Sequence, residues 1–282
     1  MKISKAYLFL LPSVAFFITF TLIPIVMMGI LSLFKTNYIV SEFVGLRNYI
    51  NAFTEPAFLQ SITNSLLYCV FTISLGTAIP LFIALTAYKY SNIFQSFVRF
   101  AFYIPTLASA IVIANVWKWI YDYRKGLANY LLSVIGIGPV MWLGHQITAI
   151  AIISIIVVIL WTGSYVILYL AVLTTIRQEI IDSARIDGAS WRQIQIRIMI
   201  PVIAPWIFFI MLLEIINTFQ IFENIYFITS GGPAGSTATM VYNIFETGFM
   251  RSQYGIASTK SVILTIMVLC LALAKNKLEK RK

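Results

Sequence analysis

Asp182-Ser-Ala-Arg-Ile-Asp-Gly-Ala-Ser-Trp-Arg-Gln-Ile-Gln-Ile-Arg-Ile-Met-Ile-Pro201 carries five charged residues in twenty, with Arg177 and Glu179 just ahead of it. Long apolar segments flank the stretch on both sides and carry almost no charge. A charged run between two such segments has to leave the bilayer, because ionised side chains in hydrocarbon are expensive. A polar, Gly-interrupted excursion in an otherwise apolar chain points to a part that touches something outside the membrane.

Within the stretch, 180–186 has helical character, and Asp182 is expected near the start of that helix, where a carboxylate suits the positive end of the dipole. Asp187-Gly188 breaks the pattern, since Gly weakens helices and supplies backbone angles that other residues avoid. Beyond it, Ile194, Ile196, Ile198 and Ile200 alternate with polar or flexible residues. Period two suggests a strand, but a lone strand at a membrane surface has no partner for its backbone. The expectation is a short helix, a sharp turn and a second amphipathic piece along the surface, with Pro201 opening the next helix. The residues alone also allow an ordinary interfacial loop.

Composition fits this setting. The 282 residues are 60% hydrophobic and only 11% charged, far from the soluble-globular average, so the chain reads as one integral membrane domain. The formal charge of +10 does not indicate nucleic acid, because the basic residues fall in short segments between apolar runs. Cys69 and Cys270 lie inside apolar runs, so neither a disulfide framework nor a metal site is indicated. His145 has no candidate ligands beside it and reads as a solvated loop residue.

Six spans of about 20 residues or more can be placed, giving an all-α membrane protein. The first runs from Tyr7 to Phe34 and is too long for a signal peptide core. The second covers about 65–88, with Asn64 at its start. The third follows Arg99 and ends near Tyr121. The fourth covers about 147–176, the fifth runs from Pro201 to Ile228, and the sixth from Gly255 to Ala274. The sixth takes Lys260 to the bilayer edge, where its long stem can snorkel to the headgroups. The chain divides into an N-terminal helix with an external segment (1–60), a five-helix core with the charged loop 177–200 (61–274), and a basic tail (275–282). Six spans place both termini on one side. Segments 1–6, 89–99, 177–200 and 275–282 hold 13 Lys and Arg against 7 elsewhere, so the positive-inside rule puts the termini and the charged loop in the cytoplasm. The tail (Lys275, Lys277, Lys280, Arg281, Lys282) reads as an anchor to anionic lipid.

The stretch with Asp182-Ser-Ala, Gly188 and Ile198-Met-Ile-Pro201 resembles the Glu-Ala-Ala loop of ABC importer permeases, in its carbohydrate-uptake branch. Asp182, Ser183 and Ile200 replace the Glu, Ala and Leu of that pattern. Val44-Gly-Leu-Arg-Asn-Tyr49, Tyr103-Ile-Pro-Thr106, Gly126-Leu-Ala-Asn-Tyr-Leu131, Trp142-Leu-Gly144 and Thr229-Ser-Gly-Gly-Pro233 resemble further elements of the branch. Val172 and Arg177 depart from it, standing where Gly and Pro are usual. The resemblance implies a permease subunit in a bacterial cell membrane that pairs with a second, similar permease chain. It also implies two copies of a separate ATPase, which bind the ATP, and an extracytoplasmic solute-binding protein. Sugar import would proceed by alternating access. Asp182, Ser183, Ala184, Asp187, Gly188 and Pro201 would form the joint with the ATPase.

A polar stripe marks a candidate path for substrate. Glu214, Asn217 and Thr218 stand at three- and four-residue spacing, hence on one helix face, with Gln220 close by. Ser164 and Tyr165 on the fourth span are weaker candidates, and Glu223 reads as solvated. Such a stripe suits sugar hydroxyls. It equally suits helix-to-helix hydrogen bonding inside a membrane. An ion-coupled secondary transporter using Glu214 is the alternative reading. The sequence holds no phosphate-cradling P-loop, no paired acid and base and no metal constellation. It therefore reads as a non-catalytic subunit with no cofactor of its own.

Overall fold

The computed structural model describes residues 5–37 and 39–279, with side chains over 9–37 and 39–273. Lys2 and the tail residues Lys280, Arg281 and Lys282 lie outside the described residues, as do the side chains of Lys275 and Lys277. The chain folds as two compact units. One takes the chain up to Leu59 together with Met240–Met267, and the other takes Gln60–Thr239 with the chain from Val268 onward.

In the first unit, α1 (residues 5–31) runs through Pro12 and Pro24 without stopping. It ends earlier than the sequence suggests, because Phe34 begins a strand. β1 (Phe34–Thr36) and β2 (Ser41–Phe43) pair antiparallel with Lys35 opposite Glu42, so among the described residues the regular structure is helical apart from one small ladder. The Val-Gly-Leu-Arg-Asn-Tyr motif closes this turn. Gly45 takes φ +56°, and the buried Asn48 amide donates to the carbonyls of Ser32 (3.0 Å) and Phe34 (2.9 Å). Tyr49 meets the Ser32 hydroxyl at 2.8 Å. The Ser32 carbonyl accepts from the Thr259 hydroxyl as well, at 3.0 Å. α2 (Arg47–Thr54), the start of α3 (Pro56–Ala87), α11 (residues 240–250) and the first half of α12 (Tyr254–Glu279) complete the unit.

The second unit is built around α7 (Gln146–Leu173), the most enclosed span: 61% of its apolar window is buried, against 0% for the first span. Tyr165, Tyr169, Leu170 and Leu173 of α7 pack with Ala84 and Leu85 of α3 and with Ile203 and Ile210 of α9 (Trp191–Phe219). α3 is longer than expected, so Asn64 sits two turns inside it rather than at its start. There its amide donates to the carbonyls of Gly235 and Ala238 and accepts from Gln146. The third span is broken. α4 (Asn92–Leu107) and α5 (Ala110–Ile120) meet at 93°, with extended backbone at Ala108 and Ser109, just past a Pro that cannot sustain helical bonding. Among the described residues five helices are thus long and apolar enough to cross a membrane, and a sixth crossing is counted if the bent pair is one span. Gly163 of α7 lies so close to the Phe102 carbonyl and the Tyr103 backbone that a Cβ there would collide with both.

Past α5, α6 (Leu127–Val134) folds onto the following turn through Asn129. Its side chain donates to the carbonyls of Tyr123 and Val140 and accepts from the Val140 N–H and the Trp142 indole. Asn129 thus joins two of the segments quoted from the sequence, 126–131 and 142–144. α10 (Glu223–Ile228) ends at Ser230 and Gly231, both with φ above +45°.

Candidate functional site

The charged stretch forms an elbow. α8 (Gln178–Ile186) ends in a full Schellman closure, with Ala189 N–H donating to Ala184 O (2.9 Å) and Gly188 N–H to Arg185 O (3.0 Å). Gly188 holds φ +80°, an angle that a side chain opposes. Ser190 then caps the next helix in a reciprocal box, accepting from Gln193 N–H while Gln193 Oε1 accepts from Ser190 N–H at 2.7 Å. Both sides of the turn are therefore closed by local hydrogen bonds.

The expected surface-lying second piece is absent. Residues 191–219 form one helix, with a π-type turn at Gln195–Met199. The alternating isoleucines lie on its first turns, where Ile194 and Met199 are buried and Ile196 is exposed. Pro201 accordingly does not open the fifth span, which has already run for ten residues. The wide turn ahead of Pro201, with Ile200 N–H reaching back to Gln195 O, makes room for a ring that would otherwise strike the carbonyl four residues earlier. A π-type turn precedes Pro24 in α1 in the same way. The helix of the fifth span stops at Phe219, and α10 is a separate piece.

One face of the elbow is buried in the unit. Ile181 is 1% exposed and, with Ala184, Ala189 and Trp191, joins the cluster around Leu170 and Leu173. Gln195 Nε2 donates to the Leu85 carbonyl of α3 at 2.9 Å. The other face carries Asp182, Ser183, Asp187 and Gly188, all exposed, together with Ile186, which is 86% exposed. Asp182 stands in mid-helix rather than at the start, and Glu179 takes the first-turn place. Asp182 accepts from Gln178 (3.0 Å) and pairs with Arg185 at 3.2 Å. With both partners half-exposed, that pair contributes little stability.

The polar stripe divides in two. Glu214 and Thr218 are fully buried against α3: Thr77 Oγ1 donates to Glu214 Oε2 at 2.8 Å, and Thr72 and Thr218 share a hydrogen bond of 2.7 Å. Gly76 leaves room for the Glu214 carboxyl, which a Cβ there would strike. Glu214 Oε1 and the Tyr169 hydroxyl are buried with no hydrogen-bond partner. Asn217 and Gln220 are exposed, and Asn217 Nδ2 donates to the Tyr165 hydroxyl at 3.2 Å. Ser164 is half-buried on the same helix as Tyr165, and Glu223 is exposed. The sequence reading assigns no site role to Gly76, Thr77 or Ile186. A Gly-Thr pair in mid-span and an isoleucine just ahead of the Asp-Gly turn were the signals available.

Over residues 86–282 the sequence matches the family described as "Binding-protein-dependent transport system inner membrane component". The chain belongs to this family. It is a multi-pass membrane permease subunit and not an enzyme. The probable ABC transporter permease protein YurN of Bacillus subtilis is 32% identical over 96% of this chain and 94% of its own length. The trehalose/maltose transport system permease protein MalF of Thermococcus litoralis is 31% identical over 93% and 89%. The fold is that of a crystallised bacterial ABC transporter involved in the import of the polysaccharide alginate. The TM-score is 0.87 over 98% of this chain and 95% of that one, at 24% identity. The family match begins at Thr86, so α1, the hairpin and most of α3 lie ahead of it.

Proposed function

We propose that the chain is the sugar-translocating subunit of an ATP-driven importer and that the elbow at 182–188 is its joint with a separate ATPase. The observation that carries this reading is the division of α8 into a buried face, fixed to the central helix, and an exposed face presenting Asp182, Ser183, Ile186, Asp187 and Gly188. A lever needs both, since a push on the exposed face must reach the spans without being absorbed in a loose loop. Ile186 would fill an apolar cleft on the ATPase while the carboxylates take polar partners at the rim. Pro201 lies downstream of the joint, in the helix that receives the motion.

The complex would contain a second permease chain, two ATP-binding subunits and an extracytoplasmic binding protein, with the termini and the elbow in the cytoplasm, as the Lys and Arg distribution supports. Sugar as cargo is supported by relatives named for trehalose and maltose, arabinooligosaccharides and lactose. Asn217, Gln220 and Ser164 are the residues proposed to meet it, with the buried Tyr165 hydroxyl holding the Asn217 amide from behind. Glu214 and Thr218 would hold the fifth span against the second behind that face, because their hydrogen bonds already go to α3. The test is Gly188→Asp in the assembled transporter. A Cβ at Gly188 meets no atom within 4 Å, so its local cost is the backbone angle, about 1 kcal/mol, and the chain should insert normally. Uptake should be abolished because the new side chain occupies the docking face. Normal uptake overturns the joint.

A further inference from the structure

Lys260 is 0% exposed on α12, so it does not reach the headgroups as the sequence suggests. Its ammonium makes three short contacts from three places in the chain: Glu55 Oε2 at 2.7 Å, Asn243 Oδ1 at 2.8 Å and Thr247 Oγ1 at 2.8 Å. An ammonium has three donors, so none is left over for a passing solute. Thr247 spends its own hydrogen on the Asn243 carbonyl at 2.7 Å, which leaves its oxygen free to accept from Lys260. The Phe58 ring stands 5.3 Å from the ammonium, and Glu55 is the cap between α2 and α3. Thr247 belongs to a π-type turn at Glu246–Met250. Beside the cluster, Glu246 and Arg251 satisfy each other at 2.7 Å.

We propose that Lys260 is a positioning residue that pins the α2–α3 joint and α11 to α12, so that these segments move as one body while the transporter alternates. The physical ground is that separating them would leave an ammonium in an apolar enclosure with its partners gone, far worse than never having buried it. Ionisable groups within spans mark functional places. With every donor used inside the protein, the place here is mechanical rather than a solute site. Glu55 lies in the part of the chain that precedes the family match and Lys260 inside it, so the pin fastens the leading segment to the common core. This rests on the importer reading above.

The experiment uses the complete complex in proteoliposomes, with labelled maltose, trehalose and lactose as probes and ATP hydrolysis measured alongside. Lys260→Met should raise the ATP spent per sugar delivered about fivefold, read per assembled complex, whereas a role in folding alone would lower only the amount of complex. If Lys260→Met fails to accumulate, Glu55→Gln removes the charge and keeps an acceptor, and the same ratio is read. An unchanged ratio in the accumulating variant overturns the pin. A second variant tests rigidity. A Cβ at Gly248 would lie 3.1 Å from that of Ala257, a few tenths of an ångström inside the range of about 3.5–4.5 Å that a disulfide spans, so the bond forms once the two segments ease apart by that much. Gly248→Cys with Ala257→Cys, in a chain lacking Cys69 and Cys270, should turn over equally well oxidised and reduced. Loss of turnover on oxidation, restored by reductant, shows that the segments must separate and overturns the proposal. If the unmodified complex carries none of the three sugars, the cargo assignment fails, and hydrolysis by the locked complex still decides the pin.

Discussion

Single residues decide how closely the spans approach. Gly163→Ala would drive a methyl into the Phe102 carbonyl, and overpacking of this kind costs about 1–3 kcal/mol. The expected result is a lower thermal midpoint in detergent, with insertion retained. The Thr72–Thr218 bond should be worth about 0.6 kcal/mol in a double-mutant cycle with valine at both places, the usual size inside a membrane. Outside the spans, Asp122 accepts from Lys125 N–H (2.8 Å) and Arg124 N–H (2.9 Å). These bonds hold its carboxyl below the ordinary range. A depressed carboxylate keeps its bonds above the unfolded value and loses them as pH falls through the folded one. Amide exchange at Arg124 and Lys125 should therefore stay slow while an unpaired Asp would already be protonated, and quicken only at lower pH. At this scale the sequence was legible where a residue has few alternatives. Gly188 reads as a turn from its type alone. Lys260 did not read correctly, because its partners stand 13, 17 and 205 positions away, beyond any local pattern.

At the scale of elements, the apolar runs located the spans and missed their ends. Helix continues wherever the backbone finds partners, so α3 begins nine residues before 65, and α9 reaches back through the isoleucine alternation to Trp191. Period two misled there because one face of a helix entering the core can place apolar residues at irregular steps. Pro carried opposite meanings. Near Ser109 the chain breaks after Pro105, whereas at Pro201 and Pro24 a wide turn lets the helix pass. The elbow's stiffness is an element property that can be tested. Ser190→Ala removes the cap, at about 1 kcal/mol, and Gln195→Leu removes the tie to Leu85. Each should lower uptake in the assembled complex while leaving its affinity for the ATPase intact, and the pair together should do more than either alone.

For the whole molecule, the family and the helical membrane-spanning fold were legible because hydrocarbon permits few backbones, whereas the 93° break in the third apolar run was not. The two-unit division was not, since it joins the chain before Leu59 to residues from Met240 on, and no composition boundary marks either point. Orientation is a whole-molecule prediction. In a chain lacking Cys69 and Cys270 and expressed without the ATPase, Ser183→Cys should react with a membrane-impermeant maleimide only in inverted vesicles, and Ser41→Cys only in right-side-out cells.

Lys260 also bears on how the chain is made. A lysine within an apolar segment opposes the segment's transfer from the translocon to lipid, and the three partners of Lys260 are all synthesised before it. The last helix is thus released into a membrane where a ready-made counter-charge is waiting. Expressed alone it should integrate poorly, and Lys260→Leu should correct that defect while spoiling the finished machine.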